Sequence, residues 1–311
     1  MALNDDQGWV TQFETMLRVQ HSQGSILQGM LDPANVKNGI TGHICEFNRT
    51  APVVAPDMVN PSATVQPLNP PRSIRASVLV ETQAPVHIYD VDQIRSLVDP
   101  TNAYTKLMLD SLGRRIDLHL LNAALGGAMT VAVTSGTGVR TYGTQALPAG
   151  QIKGTGAAIN LLDVIGVTEN LSKYGNPIGP GQRHWIYAPG QERDLLSITQ
   201  ATSSDFTRNQ LHDRGTINGL SWEGLEWHMM TDVIDYDGTS LLRMLPLSST
   251  TRQNVIFARG GLGIATGKDI KTDIDVLPIL QGRPTQISPK MSKGAVRIFD
   301  YAVLRFDALE N

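Results

Sequence analysis

A long amphipathic segment, LVDPTNAYTKLMLDSLGRRIDLHLLNAAL, occupies residues 97–125. Asp99 suits the N-cap position of a helix, and Pro100 suits the first helical position. Apolar side chains then recur at spacings of three and four residues, at Leu109, Leu112, Ile116, Leu120 and Ala123. This period predicts a helix over 99–125 that would be about 37 Å long. Helices of that length usually back a sheet or span a molecule.

Charged side chains occupy the opposite face of this predicted helix. They alternate in sign at Lys106, Asp110, Arg114 and Asp117. Because residues three or four apart are neighbours on a helix, we expect these charges to pair with one another on a solvated face.

A proline-rich segment precedes the helix. Residues 51–85 hold seven of the 17 prolines, a density that opposes helices and interior strands. The end of the segment alternates, with Ile74, Ala76, Val78 and Val80 on one face and Arg75, Ser77 and Glu81 on the other. Together with a short strand predicted at 43–48, this alternation indicates an extended arm in which the chain runs outward and then comes back. Its apolar residues have no period that would build a core, so we expect another subunit to cover them.

The rest of the chain alternates between helical and strand patterns. Residues 5–31 have an amphipathic helical pattern, while 134–156 are rich in Gly, Thr and Ser and predict a loop. Asn160 is expected to cap a helix that stops at Gly175, and further helices are predicted at 191–198 and 203–212. Strands are predicted at 184–188, 216–229, 241–245, 254–258, 270–276 and, as a final central strand, 295–306.

Composition excludes several classes of protein. The chain has 311 residues, with 26 basic and 29 acidic side chains, so its formal charge is −3. Hydrophobic residues make up 41%, which is enough for a folded core. No run of 18 apolar residues or secretory signal is present, so we expect no membrane association. A charge near zero gives no general drive toward nucleic acid, and one cysteine, Cys45, excludes an internal disulfide and Cys-based zinc patterns.

The sequence offers no convergent set of catalytic or ligand-binding motifs. Gly261, Gly263 and Gly267 have the wrong spacing for a dinucleotide fingerprint and precede a predicted strand rather than a helix. The seven histidines form no recognised motif, and each is expected to be a surface or core residue. We therefore predict no catalytic residue, no cofactor and no metal site.

Three local sequences, and their order, resemble a known family. The first is LVDPTNAY (residues 97–104) followed by GRRID (113–117), the second is ALPAGQ (146–151) and the third is TSSDF (202–206). An N-terminal arm and a proline-rich excursion precede them, and long strands follow. In this order they resemble the tailed-bacteriophage major capsid proteins over essentially the whole chain. The resemblance implies an α+β fold of the Hong Kong 97 type.

The resemblance also implies a division of the chain. The parts would be an N-terminal arm (1–40), a strand and extended loop (41–88), a peripheral domain (89–155) with a spine helix (100–125), an axial domain (156–267) and peripheral-domain strands (268–311).

The implied function is that of a coat protein and not of an enzyme. Such proteins assemble with themselves as hexamers and pentamers into an icosahedral head around double-stranded DNA, which the shell contacts without sequence specificity. The implied place is the virion, after assembly in the host cytoplasm, with portal and decoration proteins as further partners. About 40 residues precede the first strand, so we expect a separate scaffolding protein or none, with little processing. No lysine lies between Lys37 and Lys106, so we expect no isopeptide cross-link from the extended loop.

Five charged residues are candidates for contacts between subunits. We expect Arg49, Arg72 and Arg75 to pair with acidic residues of a neighbour, with Asp110 and Asp117 as candidate partners. The alternative is that they are solvated charges of little energetic consequence.

Three other functions remain open from the sequence. One is an encapsulin-like compartment shell, which shares the fold. The others are an α/β enzyme with a lid arm and another virion component such as a tail or portal protein.

Overall fold

The structure is a computed structural model, and it describes residues 25–57, 64, 67–89, 101–134, 137–198, 216–235 and 240–310. Within these residues the helices are α1 (Thr101–Leu125), α2 (Leu161–Lys173) and α3 (Glu192–Leu196). The strands in the first half are β1 (Val36–Asn38), β2 (Ile44–Thr50), β3 (Arg72–Val78), β4 (Val80–Gln83), β5 (Val86–Ile88), β6 (Ala128–Val133), β7 (Arg140–Gln145) and β8 (Ile152–Lys153). Those in the second half are β9 (Arg183–Tyr187), β10 (Ser221–Trp222), β11 (Leu225–Met229), β12 (Val233–Ile234), β13 (Ser240–Leu242), β14 (Leu247–Ser248), β15 (Thr251–Ala258), β16 (Leu262–Val276), β17 (Thr285–Arg297) and β18 (Val303–Leu309).

A seven-stranded sheet lies at the centre of the second half of the chain. Its order is β10-β11-β9-β15-β18-β8, and β14 pairs with the edge of β15. Both faces of its central strands are buried, so neighbouring residues enter different cores. Ile186 and Phe257 belong to the core with α1, whereas Trp185, Tyr187 and Trp227 belong to the core with α2. The sheet is therefore a layer between two helices.

Two further sheets lie next to this core. One contains β1, β16, β17, β4 and β5, and the other has the order β2-β3-β6-β7. Helix α1 buries Leu112, Ile116 and Leu120 against Leu262 and other residues of β16, β17 and the seven-stranded sheet. A small third core, which includes Cys45 and Phe47, lies between the two sheets. The base of the extended loop is thus fixed to the strands that support α1.

The structure confirms several local predictions. The helix predicted from Asp99 spans Thr101–Leu125 in the described residues. Helix α2 begins at Asn160, whose side chain accepts from the Asp163 amide while the Asp163 carboxylate accepts from the Asn160 amide. Gly175 follows its end with a positive φ of 71°. No helix among the described residues is both long and apolar enough to span a membrane.

The predicted N-terminal helix does not extend through its last residues. Residues 1–24 lie outside the described part of the chain. After Ser25, the chain makes only a 3₁₀ turn at Gln28–Met30. The amides of Ile26 and Leu27 donate to the carboxylate of Asp117 on α1, which replaces the hydrogen bonds that an α-helix would make here.

The strand pattern predicted over 74–81 is present as β3 and β4, but the burial does not follow the expected apolar and polar faces. Arg75, Ala76 and Ser77 are all buried, and Val80, which was expected to face the core, is 43% exposed. Both faces of β3 are covered because Arg75 has an internal ionic partner and Ser77 lies beside Gly294.

Two predictions were wrong because hydrogen bonds to other segments decide the local structure. The predicted loop 134–156 contains β7, which pairs antiparallel with β6 over its full length. The final strand predicted at 295–306 is two strands, β17 and β18, joined by a 3₁₀ turn at Asp300–Ala302. The carbonyl of Gly261 accepts from the amides of Ile298 and Phe299 and stabilises that interruption.

The division into domains stays a prediction. Strand β18, within the predicted peripheral strands 268–311, lies in the seven-stranded sheet beside β15. The helix predicted at 203–212 and the tip of the extended loop lie outside the described residues.

Candidate inter-subunit surfaces

A buried charge cluster lies where the extended loop meets the C-terminal strands. It consists of Arg75 on β3, Arg297 at the end of β17 and Asp300 in the turn after it, with Arg49 of β2 at its rim. Arg75 is fully buried, and its Nη2 donates to Asp300 Oδ2 over 2.5 Å and to Gln145 Oε1 over 2.8 Å. Arg297 Nε donates to Asp300 Oδ1 over 2.8 Å, and Arg49 Nη1 lies 3.9 Å from Asp300 Oδ2. One carboxylate thus connects three arginines.

Backbone carbonyls complete this cluster. Arg297 Nη1 donates to the carbonyls of Ala124 and Gly126 over 2.9 and 2.7 Å, at the C-terminal end of α1. The negative end of a helix dipole stabilises a cation there. Burial lowers the pKa of Arg75, while the nearby Asp300 carboxylate opposes that effect. The cluster therefore joins the loop base, the end of α1 and the last strands within one subunit.

A second buried charge fixes the N-terminal segment. Asp117 is fully buried and accepts from Ser25 Oγ (2.8 Å) and from the amides of Ile26 (2.9 Å) and Leu27 (3.1 Å). Burial raises the pKa of Asp117, and these three hydrogen bonds oppose the rise. The predicted solvated face of the helix is therefore wrong at Asp117.

The five candidate contact residues have different positions in the structure. Arg75 and Asp117 are buried with partners in their own chain, and Arg49 donates to Ser73 Oγ and to the Ile298 carbonyl. Arg72 is exposed and Asp110 is partly buried. Contact with a neighbouring subunit stays a prediction for all five. It now has most support at Arg72 and least at Arg75 and Asp117, because a buried side chain must leave its partners to reach another chain.

Large apolar side chains are exposed at the edges of the subunit. Val54, on the outgoing part of the extended loop, is 90% exposed, and Ile279, between β16 and β17, is 93% exposed. Strand β7 is exposed at each of its six residues and includes Tyr142. Single exposed apolar residues are ordinary, but three of them, Val53, Val54 and Leu68, lie in the extended loop, which suits a surface that another chain covers.

A cleft lies at the foot of the extended loop. Its walls come from β2 and the following residues, from Pro71 and Arg72, and from Phe299 and Tyr301, and its volume is about 250 Å³. Arg49 and Arg72 thus border an apolar groove next to the buried charge cluster.

Sequence reasoning missed Arg297 and Asp300. Their spacing of three residues was visible, but it fell inside a segment that was predicted to be one strand, where residues three apart lie on opposite faces.

The family comparison agrees with this architecture. A family model described as "Phage capsid protein" matches residues 6–310. The chain belongs to the phage capsid protein family, and it is a shell protein of a phage capsid. No match was found among the curated protein sequences.

Solved capsid structures share the fold. A chain of the capsid of cyanophage P-SCSP1u superposes with a TM-score of 0.70 at 13% identity, covering 98% of this chain and 94% of that one. A chain of Mycobacterium phage Che8 gives 0.65 at 13% identity, covering 98% of each. A capsid chain of Ralstonia phage GP4 gives 0.61 at 14% identity, covering 100% and 97%. These similarities show that the fold is the Hong Kong 97-like capsid fold, as the sequence predicted.

Proposed function

We propose that this chain is the major coat subunit of a phage head and that it assembles as hexamers and pentamers into an icosahedral shell around double-stranded DNA. The observation that carries this proposal is the family match over residues 6–310, and the 90% exposure of Val54 in the extended loop supports it. In this arrangement, the extended loop lies over a neighbouring subunit, which covers its apolar side chains. The shell function requires no catalysis.

The proposal includes the division of labour within the subunit. The axial domain is 156–267, with α2 and most of the seven-stranded sheet. The peripheral domain is 89–155, with α1, together with 268–311, with β17 and β18. Residues 41–88 form the extended loop. The buried charge cluster supports this arrangement, because it fixes the foot of the loop to the end of α1.

The same proposal covers the further binding partners of the shell and the place where it assembles. The shell assembles in the host cytoplasm with a portal, contacts DNA without specificity, and uses a separate scaffolding protein or none. Non-covalent contacts hold it together, since no lysine lies between Lys37 and Lys106 to cross-link the loop. The intact mass of subunits from mature particles tests these last points, because a covalent ladder or a large truncation would contradict them.

Electron microscopy of a matched pair of variants tests the role of the loop. Val54→Asp places a charge on the outgoing arm, whereas Leu162→Asp places the same charge at an exposed apolar position of α2. We expect Val54→Asp to reduce the yield of closed particles strongly while the thermal melt of the free subunit is unchanged, and we expect Leu162→Asp to assemble. Normal shells from Val54→Asp would contradict the proposed loop contact.

A further inference from the structure

Three metal-binding side chains meet on one face of the seven-stranded sheet. Strands β9 and β11 are parallel, with Glu226 opposite His184. His228 lies two residues further along β11, so its side chain is on the same face as that of Glu226. Trp185 and Trp227 alternate with them and stack on the opposite face, with ring centroids 4.5 Å apart. The strand period therefore separates a polar group of three from a tryptophan core.

The three nearest ligand atoms form a compact triangle. His184 Nδ1 lies 3.2 Å from His228 Nε2 and 3.4 Å from Glu226 Oε2. His228 Nε2 lies 3.7 Å from the same Glu226 oxygen. Zinc binds imidazole nitrogen and carboxylate oxygen at about 2.0–2.2 Å in a tetrahedron, which places neighbouring ligand atoms about 3.3–3.6 Å apart. The triangle therefore has the dimensions of one face of such a tetrahedron.

We propose that His184, Glu226 and His228 bind a zinc ion that links β9 to β11. Two imidazoles and one carboxylate suit Zn²⁺ and not Mg²⁺, which prefers oxygen ligands. Glu226 and His228 are partly exposed, with side chains 26% and 19% accessible, so the ion can enter from solvent. The fourth position is then open to water.

Neighbouring groups affect the orientation and the protonation of these three side chains. The other oxygen of Glu226, Oε1, accepts from the Gly181 amide over 2.6 Å, which orients Oε2 toward the histidines. His184 Nε2 is buried without a hydrogen-bond partner, so Nδ1 is the ring nitrogen that faces polar groups. Burial lowers the pKa of His184 to about 4 and also lowers that of His228, and neutral imidazole is the form that binds metal. The neighbouring His228 and, to a smaller extent, Arg259 also lower the pKa of His184, whereas Glu226 opposes the shift.

Calorimetric titration of the full-length chain with ZnCl₂, after removal of metal by a chelator, tests the proposal. The test variants are His228→Ala and Glu226→Gln, both at partly exposed positions, and the matched control is His43→Ala at an exposed position in the loop before β2. We expect one zinc per wild-type chain and an increase in melting temperature with zinc. Affinity should fall at least tenfold in both test variants and be unchanged in the control. MgCl₂ at the same concentration should give no binding.

Several results of these titrations would overturn the zinc proposal. Absence of zinc binding to the wild-type chain would overturn it, as would equal affinity in wild type, His228→Ala and Glu226→Gln. Circular dichroism of each variant without metal shows whether it is folded. Should one test variant be unfolded, the other still decides the result. Equal binding of Mg²⁺ would also overturn it, because imidazole ligands do not favour that ion.

Discussion

Arg75 and Asp300 are 225 positions apart in the chain, yet the guanidinium of one donates to the carboxylate of the other over 2.5 Å. The first residue begins the return of the extended loop, and the second lies in the turn between the last two long strands. Arg297 joins the same carboxylate and also binds carbonyls at the end of α1. The pair therefore links three parts of the subunit that would have to stay aligned while the loop contacts a neighbour.

Arg75 is expected to stabilise the subunit itself. Arg75→Ala should lower the free energy of unfolding by about 2–4 kcal/mol, because it empties a buried site and removes one partner of Asp300. The effect lies toward the low end for a buried pair since Arg297 still neutralises Asp300. Denaturant unfolding of the isolated subunit measures it.

Arg72 is the matched control for that measurement. It lies three residues earlier on the same strand and is exposed, so Arg72→Ala should change the free energy of unfolding by less than about 0.5 kcal/mol. Equal losses in the two variants would contradict the assignment of Arg75 to the interior.

Asp117 is expected to hold the segment after Ser25 against α1. Asp117→Asn should cost about 1–3 kcal/mol, because an amide offers fewer acceptor sites to the Ile26 and Leu27 amides. Hydrogen exchange should accelerate in residues 25–31. Ser25→Ala removes only the hydroxyl donor and should cost less. Unchanged exchange in Asp117→Asn would refute this anchoring role.

Two helical glycines provide an independent test of the same contact. A Cβ on Gly113 of α1 would lie 3.1 Å from the Ser25 amide nitrogen, whereas one on Gly166 of α2 would meet nothing within 4 Å. Gly166→Ala should therefore stabilise the subunit by about 0.5–1 kcal/mol. Gly113→Ala should gain less or lose stability, with faster exchange in 25–31. Equal stabilisation by both alanines would show that the segment does not pack against Gly113.

The β16–β17 hairpin contains one aspartate and two lysines whose contribution to stability depends on pH. Asp273 lies 2.5 Å from Lys290 Nζ and 3.0 Å from Lys271 Nζ, and hydrogen bonds from these lysines lower the pKa of Asp273 to about 2. The folded state thus favours the carboxylate, so this contribution to stability is present above pH ~4, the ordinary pKa of aspartate, and is lost as the pH falls toward about 2.

Titration of the Asp273 carboxyl by NMR checks this expectation. Lys290→Ala and high salt should each move the midpoint toward its ordinary value, since an exposed pair is screened by ions. A titration midpoint near pH 4 for Asp273 in the wild-type chain at low salt would contradict its pairing with the two lysines.

The sequence predicted features that depend on local chemistry. Helix α1 and the capping of α2 by Asn160 follow from residues within one or two turns. The family resemblance then supplied the fold, which no local pattern specifies.

The missed features depend on distant partners. Arg75 and Asp117 look like solvated charges until Asp300 and Ser25 are brought beside them by the fold. Strand β7 was missed because its Gly and Thr residues resemble a loop, and its pairing with β6 decides its structure. Glu226 and His228 had a strand-like spacing of two, but His184 joins them only through the register of β9 with β11.

A cryo-electron microscopy reconstruction of particles assembled from this chain, alone and with a scaffolding protein, tests the central proposal most directly. We expect a closed shell of hexamers and pentamers in which Arg75 contacts Asp300 of its own subunit and Val54 is covered by a neighbouring one. A chain that stays as separate subunits under both conditions, or a shell in which Val54 remains exposed to solvent, would contradict it.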